Sequence, residues 1–289
     1  MISHEFPVNE YFFPGSSKEA SEILSRGKGE FLLLGGATSF TFSRPGKVKA
    51  LVDLSRTGLD YVKIRKKSIG IGALTPIREL AHLPIFQRYA GGVVHEAAVD
   101  IATTPLRNMI TVGGNVMKIF LWSDLPPLFL ALNARFLVCG PGGGKKTFGA
   151  DEFFSSQPRS LIGKNAILKE VSLPRNPETF GAFIKYSLTE TDFALINACA
   201  VLRVSDGECR QLRLTVGAVT PLPRRLLKAE KFLTGKKLNR KNIREAAALG
   251  AGELSPLKDI RTEPGYREKI LPVILERCLI TAWERAQNS

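Results

Sequence analysis

Apolar and polar positions in the first third of the chain follow two periods. In SSKEASEILSRG, Ala20, Ile23 and Leu24 fall on one face at helical spacing, with Ser16 or Ser17 as N-cap and Gly27 as the stop, so a helix is expected. FLLLGG and KALVDLS are short apolar runs and read as buried strands. DYVKIRKKSIGIGA alternates on both sides of a basic turn and predicts a hairpin; PIRELAHL predicts a helix opened by Thr75. GGVVHEAAVDIA and SDLPPLFLALNA read as helices, the prolines of the second falling in its first turn, where an N–H has no intrahelical partner. ARFLVCGPGGGKKTFGADEFF predicts a strand, a glycine turn and a return, and AILKEVSLP a further strand.

After PRNPETF the pattern changes. FGAFIKYSL, FALINACAVLRVSDGECRQLRLTVGAV and the segment behind them predict three or four antiparallel strands joined by a Ser-Asp-Gly turn. Helices follow, the last being YREKILPVILERCLITAWERA with an expected kink at Pro272. A boundary at PRNPETF divides the chain into two α+β domains, 1–176 (subdomains about 1–55 and 56–176) and 177–289. Within 289 residues, 44% hydrophobic and 24% charged residues exclude a disordered or fibrous chain. The longest apolar stretch, VMKIFLWSDLPPLFLALNA, is interrupted by Lys118, Asp124 and two prolines, so no membrane span is expected. The start carries no basic and apolar signal pattern, and a cytoplasmic location is the expectation.

Candidate chemistry is narrow. Cys139, Cys199, Cys209 and Cys278 form no CxxC, and His4, His82 and His95 have no ligand spacing, so no metal site is expected on this chain. The net charge of +14 concentrates in KIRKK and in the stretch 224–244, where nine Lys or Arg face the single Glu230. Without interleaved aromatics or helix-turn-helix grammar, nucleic acid is disfavoured, and a solvated face or a surface for an acidic partner both stand. No GxGxxG occurs, and GPGGGKKT is no Walker loop because Lys146 follows Lys145 in place of Ser or Thr. Two glycine pairs remain: Gly35 and Gly36 at the end of an apolar strand, and Gly113 and Gly114 in RNMITVGGN, with Asp124 nine residues past Asn115. On the residues alone, a plain glycine turn and a backbone cradle for phosphate are both open, as are a cofactor role and a helix-dipole role for Asp124.

Six ordered segments tip this balance. LLLGGATSF, IGIGALTPIREL, IATTPLRNMITVGGNV, SDLPPLFLALNA, GAVTPLPRRLLKAEKFLTGK and DIRTEPGYREKILPVILERCL together resemble the FAD-binding medium subunit, or domain, of the molybdenum hydroxylases, which include xanthine dehydrogenase and carbon monoxide dehydrogenase. The resemblance runs nearly end to end. It implies a vanillyl-alcohol-oxidase-type FAD-binding fold of two subdomains, followed by a C-terminal α+β domain with a small antiparallel sheet and helices. It further implies that Leu33, Leu34, Gly35, Gly36, Ala37, Thr38, Ser39 and Phe40 surround the adenine side and pyrophosphate of FAD. Thr111, Gly113, Gly114 and Asn115 would complete the pyrophosphate pocket, and Asp124 would accept from ribose or ribityl hydroxyls. Ile101, Leu168 and Lys185 would lie against the flavin, with Lys185 and Asp192 tuning it. Partner chains would hold the [2Fe–2S] clusters and the molybdopterin, in a heteromer that passes electrons through FAD to NAD⁺ or another acceptor. Ala37, Ser39 and Leu188 depart from the family pattern, which usually has glycine, an acidic residue and arginine there. A stand-alone flavin oxidoreductase of the same fold, and a subunit that keeps the fold without FAD, are the alternatives.

Overall fold

The computed structural model of the chain describes residues 8–39, 48–176, 178–263 and 265–288. The chain opens with β1 (Glu10–Phe12), α1 (Ser17–Arg26), β2 (Phe31–Leu34) and β3 (Ala50–Asp53), then the hairpin β4 (Val62–Ile64) and β5 (Ser68–Gly72). Six short helices follow: α2 (Ile77–His82), α3 (Pro84–Arg88), α4 (Val93–Val99), α5 (Thr104–Met109), α6 (Val112–Met117) and α7 (Leu125–Ala131). Next come β6 (Arg135–Cys139), β7 (Lys145–Gly149), α8 (Ala150–Phe153), α9 (Pro158–Ile162) and β8 (Ile167–Pro174). The remainder is β9 (Phe180–Tyr186), β10 (Ile196–Ser205), β11 (Glu208–Gly217), β12 (Arg224–Arg225), α10 (Leu227–Leu233), α11 (Arg240–Ala251) and α12 (Tyr266–Gln287). These elements form two compact units drawn from interleaved stretches: Met1–Ile77, Pro105–Lys118 and Arg135–Ser172 in one, Arg78–Thr104, Ile119–Ala134 and Leu173–Ser289 in the other.

The first unit holds a parallel sheet in the order β1-β3-β2 and a five-stranded sheet in the order β4-β5-β8-β6-β7. Helix α1 starts where Ser16 accepts from the Glu19 N–H and stops at Gly27; its apolar stripe, Ala20, Ile23 and Leu24, packs with Val52, Leu54, Leu59 and Ile167. Thr75 does not open α2 by capping. Its buried hydroxyl accepts from the Tyr61 N–H at 3.2 Å and donates to the Tyr61 carbonyl at 2.9 Å, which fastens the β4–β5 hairpin to the segment behind it. The threonine hydroxyl competes for backbone partners wherever the chain brings them, and here the hairpin is nearer than the helix end.

The second unit is an antiparallel sheet in the order β12-β11-β10-β9, with α12 packed on β9 and β10 and α10 and α11 completing the layer. The β10–β11 connection is a two-residue turn in which Asp206 and Gly207 both have positive φ, +55° and +74°. Those angles belong to the type I′ turn that matches strand twist. Helix α12 continues through Pro272 from Tyr266 to Gln287. In the basic stretch, Arg225 is drawn into an ion pair with buried Glu230, while Arg224, Lys228, Lys231, Lys236, Lys237, Arg240, Lys241 and Arg244 are exposed. Among the described residues no helix is long and apolar enough to cross a membrane.

Candidate flavin site

The first unit brings the two glycine loops against each other. A Cβ on Gly36 would stand 1.6 Å from the Met109 carbonyl oxygen, and one on Gly113 2.7 Å from that of Ala73. These two glycines are therefore demanded by backbone meeting backbone. Three hydrogen bonds fix the second loop against residues 73–77: the N–H groups of Val112, Gly113 and Ile77 donate to the carbonyls of Thr75, Ala73 and Ile110 at 2.9, 2.7 and 2.9 Å. Thr111 is the N-cap of α6 and its hydroxyl accepts from the Gly114 N–H at 3.1 Å. The start of α6 is thus satisfied from within the protein.

The other member of each pair is different. Gly35 and Gly114 are exposed, and a Cβ on either would meet first the Thr111 hydroxyl, at 3.1 and 3.0 Å. Beside them the side-chain carbonyl of Asn115 is buried and has no partner among the described residues. A buried unpaired acceptor asks for a donor that the chain does not supply. Ala37 is exposed with φ at +55°, a conformation that costs about 1 kcal/mol for a residue with a Cβ. The family's usual glycine would relieve that strain, so the alanine is tolerated at a cost. Thr38 and Ser39 are half-buried next to it, and Phe40 lies outside the described residues. Leu33 is half-buried, Leu34 is buried at the end of β2, and Leu168 is buried in β8 opposite Val138.

Ile101, Asp124, Lys185 and Asp192 belong to the second unit. Asp124 immediately precedes α7, makes no cap hydrogen bond, and is only 6% exposed. One of its oxygens accepts from the Asn197 amide at 2.9 Å, and that same nitrogen donates to the Ser123 carbonyl at 3.1 Å. Burial pushes the Asp124 carboxyl up to about 6, against the opposing pull of the Lys185 charge and the Asn197 hydrogen bond, with Asp100 adding to the rise. Among the described residues Lys185 pairs with no carboxylate: its ammonium donates to the Asp100 carbonyl at 2.7 Å, at the C-terminal end of α4. The residue after Asp100 is the buried Ile101, so two of the expected flavin-facing residues converge at this helix end. Asp192 accepts from the neighbouring Phe193 N–H and stays local.

Sequence reasoning passed over Asn197. The signal was available in the strand register: Lys185, Asn197 and Gly217 are directly opposite one another on β9, β10 and β11, so they project to one face. Two of the six family-like segments turn out to build scaffold. Asp259 holds both Arg261 and buried Arg267, at 2.8 and 2.6 Å, which keeps its carboxyl down at about 2 against the penalty of burial, and Glu230 anchors Arg225 and the Leu214 N–H.

The match to known proteins covers both parts of the chain. The family described as the FAD binding domain in molybdopterin dehydrogenase matches residues 5–176, and the CO dehydrogenase flavoprotein C-terminal domain matches residues 182–282. The carbon monoxide dehydrogenase medium chain of Hydrogenophaga pseudoflava is 28% identical over 96% of this chain and 98% of its own length. The 6-hydroxypseudooxynicotine dehydrogenase complex subunit alpha of Paenarthrobacter nicotinovorans is 28% identical over 97% of this chain and 96% of its own. A chain in the structure of the Hydrogenophaga carbon monoxide dehydrogenase that lacks the Mo-pyranopterin moiety superposes with a TM-score of 0.91 at 29% identity, covering 96% of this chain and 98% of that one. The α+β fold with its C-terminal antiparallel sheet is the fold of these flavoproteins. With FAD as its cofactor, this chain belongs to the family of FAD-binding domains of the molybdopterin dehydrogenases.

Proposed function

We propose that the chain is the FAD-binding electron-transfer subunit of a multisubunit molybdenum hydroxylase. In this reading a small partner carries [2Fe–2S] clusters and a large partner the molybdopterin, where substrate is hydroxylated. The observation that carries it is the coverage of nearly the whole chain, at 96% and 97%, by a medium chain and a complex subunit of two such dehydrogenases. Bound FAD would take electrons singly from a cluster and release them to NAD⁺ or another acceptor. A cytoplasmic place fits that chemistry. We place the division between the cofactor-binding part and the C-terminal part at 176/177.

The residues fit the group. Exposed Gly35 and Gly114 leave room beside the backbone of residues 35–39 for phosphate oxygens. The unpaired Asn115 oxygen accepts a hydrogen bond there, and the buried Asp124 carboxylate accepts from hydroxyls. Lys185, with its charge at the end of α4 beside Ile101, favours negative charge developing on the flavin ring.

Three outcomes follow. Isolated from its native cells through a tag on this chain, the protein brings down a [2Fe–2S] chain and a molybdopterin chain in equal amounts; a lone flavoprotein that turns over its own substrate contradicts the subunit reading. Gly36→Ala and Gly114→Ala separate packing from binding. The first lowers apo-protein stability by about 3 kcal/mol or prevents folding, because backbone must give way; the second changes stability by less than about 1 kcal/mol and weakens FAD binding at least about tenfold, both read by calorimetry. The third concerns Asp124. Its folded-state pKa is raised, so the folded apo chain holds the proton more tightly than the unfolded chain does. The associated stability is full below the ordinary carboxylate pKa of 3.8 and is lost as pH rises through about 6. Asp124→Asn removes this loss: relative to wild type, the apo variant gains up to about 3 kcal/mol above pH 7 and nothing near pH 3, measured by urea unfolding across pH.

A further inference from the structure

Asn197 sits on β10 of the C-terminal sheet with no exposed surface, and among the described residues it makes the only side-chain hydrogen bond to Asp124. Its nitrogen faces two acceptors, the Asp124 carboxylate and the Ser123 carbonyl, so chemistry alone orients the amide. The oxygen at the other end has no partner among the described residues. It occupies the place of a side chain on Gly217, whose Cβ would lie 2.3 Å away. The sheet thus gives up a side chain at 217 and leaves a carbonyl unpaired in order to hold this amide against Ser123 and Asp124.

The grip on α7 has two further points. Thr215 donates to the Pro127 carbonyl at 2.8 Å, and Arg213 to the Leu130 carbonyl at 3.1 and 2.8 Å. None of these three hydrogen bonds involves Asp124. The charged groups facing the carboxylate from its neighbours are Lys185 of β9 and Asp100 after α4; Glu96 of α4 is engaged by Arg285, His95 of α4 by the Ala81 carbonyl, Arg225 of β12 by Glu230, and Arg224 is exposed.

We propose that Asn197 is the positioning residue for the cofactor-binding carboxylate, holding Asp124 in its ionised, hydroxyl-accepting orientation from the C-terminal sheet. This rests on the reading of Asp124 as an acceptor for FAD hydroxyls. A merely structural amide would contribute to stability as Thr215 does; a positioning amide also governs when Asp124 titrates and how tightly FAD is held.

The test uses the full-length, flavin-free chain labelled with carboxyl-¹³C aspartate, comparing wild type, Asn197→Ala, Asn197→Asp and Thr215→Val. In Asn197→Ala the Asp124 titration midpoint rises by about one pH unit, since a hydrogen bond to the charged form is lost, and FAD binds about tenfold more weakly near pH 8. Asn197→Asp keeps the core filled if the alanine variant does not fold, and raises the midpoint further because two adjacent carboxyls share one proton. Thr215→Val lowers the melting temperature yet leaves the midpoint in place and changes FAD affinity less than about threefold. An unmoved midpoint in both Asn197 variants, an unchanged FAD affinity in them, or an equal shift in Thr215→Val overturns the proposal. If wild type takes up no FAD while the midpoint moves as stated, the hold of Asn197 on Asp124 stands and the cofactor reading falls.

Discussion

Two carbonyl oxygens, those of Met109 and Ala73, lie where side chains of residues 36 and 113 would have to be. Much of the first unit's candidate site depends on that exclusion. Because backbone can close on backbone at these two points, the end of β2 and the start of α6 become one surface. Thr111 is then fixed as the shared neighbour of Gly35 and Gly114, and Asn115 is turned inward with its oxygen unpaired among the described residues. The glycine pairs divide their labour: one of each packs, the other stays open. On the proposed reading, a phosphate cradle here owes little to a helix N-terminus, since the first N–H groups of α6 are already taken by Thr75, Ala73 and Thr111.

The second unit supplies a different kind of chemistry, a buried carboxylate that burial alone would neutralise. Lys185 and Asn197 work against that neutralisation from neighbouring strands, and the carboxylate pays for its place in stability above pH 6. On the proposed reading, Asp124 is a group kept at the expense of stability, as in a binding site that its ligand completes.

Periodicity made most elements legible: the capped α1, the alternating β4–β5 hairpin, the proline-opened α7 and the Asp-Gly turn all follow from local chemistry that tertiary structure did not override. The site was legible only through the ordered succession of family-like segments, because Gly-Gly at a strand end has the same local meaning with or without a ligand. What stayed hidden were relations at a distance. Nothing near Thr75 shows that its hydroxyl will find Tyr61 rather than α2, nothing near Gly36 shows that Met109 will sit on it, and Asn197 looks like any polar residue in a strand until its register with Gly217 is known. Such features arise from which backbones meet, and a linear pattern does not encode that directly.

The central claim is that this chain binds flavin. It is tested most directly by the visible absorption spectrum of the purified chain after incubation with FAD and removal of free cofactor. The account predicts about one equivalent of bound flavin, with absorption bands shifted from those of free FAD; a colourless chain that retains no flavin after reconstitution, while folded by circular dichroism, contradicts it.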